Sequence, residues 1–298
     1  MAKSTDPNHL TLAEKFSRSI VGDMFSRYFK NDVGTRAAAL TYYLIFSIFP
    51  IMILVSTLVG SFHINIDSMF HYLKNILPES IISLIQSYLT YLQSAPTKTL
   101  FGFAIIFSIY FPWRVVHGLM RTVRIAYGLP PARNQIKFML KEVVGALIIP
   151  FTLLLTLLMF VFGPALIRFL LTFIPDRFVN VSEVTLRLWS ILRFPLAATI
   201  MAAALGIVYQ LSMDQHQPVK EILPGILFAI LVWIISSMIF SAYVENFARY
   251  SVIYGTLGAF IVLLLWLYLT ALIFILGGEL NATLASRRRK KAINPDLK

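Results

Sequence analysis

Six stretches of the chain are apolar on every face a helix could present: about Ala37 to Gly60, Leu100 to Leu119, Leu140 to Gly163, Trp189 to Leu211, Ile222 to Tyr243 and Tyr254 to Thr283. A helix apolar all round has no side to offer water. Each stretch is close to the roughly 20 residues that cross a hydrocarbon core about 30 Å thick at about 1.5 Å per residue. The pattern predicts an all-α polytopic membrane protein with six transmembrane helices.

Three shorter stretches read as helices that do not span. Phe16, Ile20, Met24 and Tyr28 recur every four residues, with Lys15, Arg18, Arg27 and Lys30 among the polar positions. Two readings of this segment stand side by side: an interfacial helix on an anionic inner leaflet, or an ordinary amphipathic helix packed on the bundle. Pro78 to Gln93 places Ile81, Ile85, Tyr88 and Leu92 on one face and is expected on the outer surface. Pro164 to Pro175 is a third short helix expected on that side.

Composition agrees with the pattern. Of 298 residues, 58% are hydrophobic and 13% charged, against about 25% charged in soluble domains. The net charge of +12 raises nucleic acid as a partner, but most basic residues flank apolar spans, so membrane lipids are the expected partner and nucleic acid is not. Eighteen Lys and Arg fall on the side holding both ends of the chain and seven on the other, which places both termini in the cytoplasm. No apolar signal core precedes the first span, so that span is expected to target the chain to the bacterial cytoplasmic membrane. Residues 1–35 read as a cytoplasmic N-terminal segment, 36–283 as the membrane domain and 284–298 as a basic cytoplasmic tail. Without cysteine, disulfides and thiolate chemistry are excluded.

Inside the spans the notable features are breaks, small residues and lone charges. Proline kinks a helix by removing a backbone donor; Pro50 and Pro112 are the best placed to shape a transport site. Ala198, Ala202 and Gly206 recur every four residues, and Gly255 and Gly258 lie three apart, spacings that let helices approach closely. Arg114 lies within the second span and Glu279 closes the sixth; Arg36, Arg114 and Arg121 are expected partners for Glu279. This cluster reads either as a cytoplasmic-side polar vestibule or as a structural ion pair. No two of the five histidines share helical ligand spacing, and nucleophile, phosphate-loop and zinc signatures are missing. The expectation is a protein without cofactor and without enzymatic activity.

Two segments carry a family resemblance. AAALTYYLIFSIFPIMI (37–53) and YGTLGAFIVLLLWLYLTALIFILGGELNA (254–282) resemble the YihY / virulence factor BrkB family of bacterial inner-membrane proteins. The matching positions include Tyr42, Ser47 and Pro50 in the first segment, and Gly277, Glu279 and Asn281 in the second. Arg124 departs from the asparagine that members often show. The resemblance implies six spans and a link to envelope properties; the family's old label as a tRNA-processing ribonuclease is regarded as a misassignment. The expected role is a transporter or flippase of lipid-like or other amphiphilic envelope molecules. The alternatives are a non-transporting membrane scaffold and, last, an intramembrane enzyme.

Overall fold

The computed structural model describes residues 19–61, 82–83, 87, 98–171, 179–247 and 251–293. Among them the chain is helical and has no strand. Seven helices follow one another: α1 (Ile20–Lys30), α2 (Val33–Ser61), α3 (Lys98–Ala126), α4 (Gln135–Leu171), α5 (Val179–Ser212), α6 (Val219–Phe247) and α7 (Ser251–Ile293). Among the described residues, three stretches are long and apolar enough by themselves to cross a membrane: Ile191–Ser212, Val219–Tyr243 and Phe260–Ile293, with mean hydropathies of 2.0, 2.5 and 2.7.

Helices α2 to α7 form a closed ring in chain order, with α7 returning to α2. α3 also touches α5 and α7, and α1 lies across α7 and α2. The centre is filled by Val33, Ala37 and Leu40 of α2, Val116, Met120 and Val123 of α3, Tyr209 of α5, Ala229 of α6 and Ile275 of α7. The outside is equally apolar. On α6, Leu223, Leu227, Leu231, Ile235 and Ile239 are all exposed at four-residue spacing. Such a stripe faces hydrocarbon, since water would penalise every one of its members.

α2 passes through Pro50 and α3 through Pro112 as continuous helices. In an apolar solvent an opened ladder would leave backbone groups with no partner, which favours keeping the helix whole. Pro50 and Pro112 are buried against neighbouring helices. The expected short helix at Pro164 is instead the end of α4, which continues to Leu171; 172–175 lie outside the described residues. Of the expected helix Pro78–Gln93, only 82, 83 and 87 are described, and these are helical.

Helix α1 has Ser19 as its N-cap, accepting from the Gly22 N–H at 2.9 Å. Asp32, at φ 49, turns the chain from α1 into α2. This tight corner sets α1 against the ring at the end where α7 carries its polar residues.

Candidate functional site

Two buried polar residues of α7, Glu279 and Asn281, fall in one short run, Gly277-Gly278-Glu279-Leu280-Asn281. Successive residues on an α-helix point about 100° apart, so this run addresses different neighbours in turn. Gly277 faces α6 and α5: a Cβ there would lie 2.6 Å from the Gly225 carbonyl oxygen and 2.5 Å from the Tyr209 hydroxyl. Gly278 faces α3, where a Cβ would meet Val123 at 2.9 Å. Glu279 faces α1. Asn281, one turn from Gly277, faces α6 again.

Asn281 is 1% exposed and staples α7 to α6. Its Oδ1 accepts from the Gly225 N–H at 2.7 Å and its Nδ2 donates to the Ile222 carbonyl at 2.8 Å. The contact requires glycine at 225, because a Cβ there would sit 2.1 Å from the Gly277 carbonyl oxygen. Tyr209 donates its hydroxyl proton to the Phe274 carbonyl beside this crossing.

Glu279 is fully buried. Asn31, the residue closing α1, donates to its Oε1 at 2.6 Å. Arg27 approaches Oε2 to 3.8 Å, and Oε2 has no hydrogen-bond partner among the described residues. The same Arg27 Nη1 donates to the Ala126 carbonyl at 2.8 Å, at the end of α3. Arg36 stands one step behind, its Nε donating to the Asn31 carbonyl at 2.8 Å. The expected pairing of Glu279 with Arg36, Arg114 or Arg121 therefore needs correction. The direct contacts come from α1, which sequence spacing could not bring to residue 279, and Arg36 acts through Asn31.

Arg114 belongs to a separate group higher in the bundle. It donates to the Tyr43 hydroxyl and its guanidinium lies 4.7 Å from the centre of that ring. One turn along α3, His117 Nδ1 meets Glu142 Oε1 of α4 at 2.7 Å. Glu142 is 3% exposed. The histidine was passed over in the sequence because its acid lies on another helix.

At the mouth of the bundle two cations close the C-terminal end of α5, where free carbonyls concentrate partial negative charge. Arg124 donates to the Ser212 carbonyl at 3.0 Å, and Lys141 to the Met213 carbonyl at 2.7 Å. Arg124 also grips Asp214 with both arms, at 2.7 and 3.1 Å, and the Pro130 carbonyl at 2.6 Å. These bonds hold the Asp214 carboxyl below the usual carboxylate range. Burial pushes the nearby Tyr127 hydroxyl up to about 12. So the position that departs from the related pattern has its own structural work: it ties α3 to α5.

Tyr42 and Ser47 lie on α2. Ser47 is buried and donates to the Leu44 carbonyl at 2.6 Å. Tyr42 is exposed and lines a groove between α2 and α7. The groove has a volume of about 520 Å³, with walls from Ala38, Ile45 and Phe46 on one side and Phe260, Leu264 and Tyr268 on the other. It opens sideways among the exposed apolar residues. The Tyr28 and Tyr268 hydroxyls converge over Gly34, where a Cβ would lie 2.9 and 3.4 Å from them.

Residues 24–297 match the family described as virulence factor BrkB. The chain belongs to that family. YfkH of Bacillus subtilis, which carries the name ribonuclease-like protein, is 30% identical over 93% of this chain and 99% of its own length. A UPF0761 membrane protein of Azotobacter vinelandii is 27% identical over 89% of this chain, which spans 63% of that longer relative. A UPF0761 membrane protein of Pseudoalteromonas translucida matches 26% of this chain at 32% identity. No solved structure matches. The matched region of the BrkB family covers all seven helices except the first turn of α1, so the GGELN run and its contacts belong to it. This BrkB-family chain is a membrane protein, and its apolar exterior fits that solvent.

Proposed function

We propose that this BrkB-family protein crosses the bacterial cytoplasmic membrane six times, with both ends in the cytoplasm, and moves lipid-like or other amphiphilic envelope molecules along its side. The observation that carries this reading is the α2–α7 groove. It offers about 520 Å³ of space and lies open at the surface of the bundle. Its walls are apolar and it opens laterally, as a site for a chain dissolved in the bilayer must. Over Phe260 to Tyr268 it follows about 12 Å of helix, comparable with the roughly 15 Å of one leaflet's hydrocarbon. A path along the side also suits a bundle whose inner polar residues, Glu279, Asn281 and Thr283, are sealed from solvent.

That same sealing favours a second reading, a scaffold for envelope processes, in which the GGELN run is a structural hub only. A nuclease using two metal ions would want converging acidic or imidazole ligands for them. Among the described residues no three His, Asp or Glu side chains converge in that way.

The test is reconstitution into liposomes carrying fluorescent phospholipids. The transport reading expects accelerated movement between leaflets, abolished in Ala38→Trp, which fills the groove from an exposed position. Absence of movement in every lipid composition tried would leave the scaffold.

A further inference from the structure

Helix α1 has its polarity reversed for a helix in water. Two of its three charged groups, Asp23 and Arg27, turn toward the bundle, while Lys30 is exposed. Asp23 accepts from Arg287 of α7, at 2.6 and 2.7 Å from its two guanidinium nitrogens, and Arg27 reaches the Ala126 carbonyl and Glu279. Three of its large apolar side chains turn outward: Val21 is 65% exposed, Phe25 58% and Phe29 62%. The Phe25 and Phe29 rings meet edge to face at 5.0 Å, so the three residues form one ridge. Single exposed apolar residues are ordinary. A four-residue repeat of them, on a helix of 11 residues whose Asp23 and Arg27 are held on the other side, is not.

The Asp23–Arg287 bond adds a second feature. It places the start of α1 against the first of five consecutive basic residues, and Arg288 to Lys291 are exposed. An apolar ridge and a basic run now share one edge of the bundle. Each is a weak membrane signal alone; together they are the two-part signal that holds a surface to anionic lipid.

We infer that α1 and Arg288–Lys291 form a docking surface for the anionic phospholipid leaflet at this end of the bundle. The ridge Val21-Phe25-Phe29 enters the acyl region and the basic run meets the phosphates. Charge complementarity selects this occupant, and the ridge continues the apolar shell of the ring, which already faces hydrocarbon. The inference stands whether or not the α2–α7 groove carries a substrate.

The chain has no cysteine, so single spin labels can be placed at will. Phe25→Cys and Val21→Cys report on the ridge, and Ser26→Cys on its rim. The labelled full-length protein goes into vesicles of phosphatidylcholine alone or of an equal mixture with phosphatidylglycerol. Accessibility to oxygen, which concentrates in hydrocarbon, is compared with accessibility to a water-soluble nickel complex. The ridge labels are expected to show a severalfold higher oxygen-to-nickel ratio than the rim label. Phosphatidylglycerol is expected to raise it further, and Arg289→Gln, Lys290→Gln and Lys291→Gln together to cancel that rise. Ridge labels that read as aqueous would overturn the inference. So would labels shielded from both reagents with dipolar broadening, which would mean a second copy covers the ridge, or depth indifferent to phosphatidylglycerol.

Discussion

Asn31 donates to Glu279 at 2.6 Å across 248 residues of chain, joining the last residue of the α1 corner to the fully buried acid of α7. A buried carboxylate is tolerable only when its charge is met by donors or a cation. Asn31 supplies the donor and Arg27 the charge. Glu279→Gln keeps an acceptor for Asn31 and removes the charge facing Arg27, whereas Glu279→Leu removes both. α1 is expected to loosen in the order wild type, Gln, Leu, with the Leu variant losing about 1–3 kcal/mol. Limited trypsin digestion at Arg27 and Lys30, alongside thermal unfolding in detergent, reads this out; identical cleavage in all three would contradict the latch.

The α6–α7 crossing depends on two glycines in contact. In Gly225→Ala the new methyl would strike the Gly277 backbone, which cannot move aside. A loss beyond the roughly 1–3 kcal/mol usual for overpacking is expected. Gly206→Ala is the internal control: its Cβ would meet only the Cδ1 end of Ile226, at 2.9 Å, which can rotate away. Melting temperatures in the same detergent should separate the two variants clearly.

Asn281 bridges the same crossing with two bonds to backbone. Membrane interhelical hydrogen bonds average about 0.6 kcal/mol and reach about 1.7. Asn281→Leu is therefore expected to cost about 1–3 kcal/mol, and to cost little more when combined with Gly225→Ala, because both act on one contact. A double-mutant cycle on unfolding midpoints tests the shared contact, and strict additivity would argue against it.

The Arg124–Asp214 grip makes stability depend on acid. Its folded carboxyl titrates below the ordinary carboxylate value of about 3.9. The stabilisation is thus fully present above that value and is lost as pH falls past it through the lower folded value. Asp214 is half exposed, so solvent screening limits the effect to about 0.2–1 kcal/mol. Wild type and Asp214→Asn are expected to differ in unfolding midpoint at pH 7 and to converge as the carboxyl protonates. A gap that persists unchanged in acid would show that the charge is not its source.

Sequence periodicity made the helices legible because hydrocarbon leaves the backbone no partner but itself; every apolar stretch expected to span lies inside an observed helix. Glu279 also stood out, as a lone acid closing an apolar run, and Asn281 as a matching position of the family resemblance. Their contacts were not. A helix in a bilayer is as apolar toward lipid as toward its neighbours: the exposed Leu223–Ile239 stripe of α6 is no more polar than the buried Ile222, Ile226 and Ile230 beside it. Periodicity therefore carries no inside or outside. α1 shows the consequence, since Met24 and Tyr28 of the expected stripe turn out half-buried while Phe25 and Phe29 point away. The sequence alone determined the solvent, the helical class and which few polar positions would lie within apolar helices. The packing of segments up to 248 residues apart decided which helix each of those positions would hold, because only close contact between backbones distinguishes one apolar face from another.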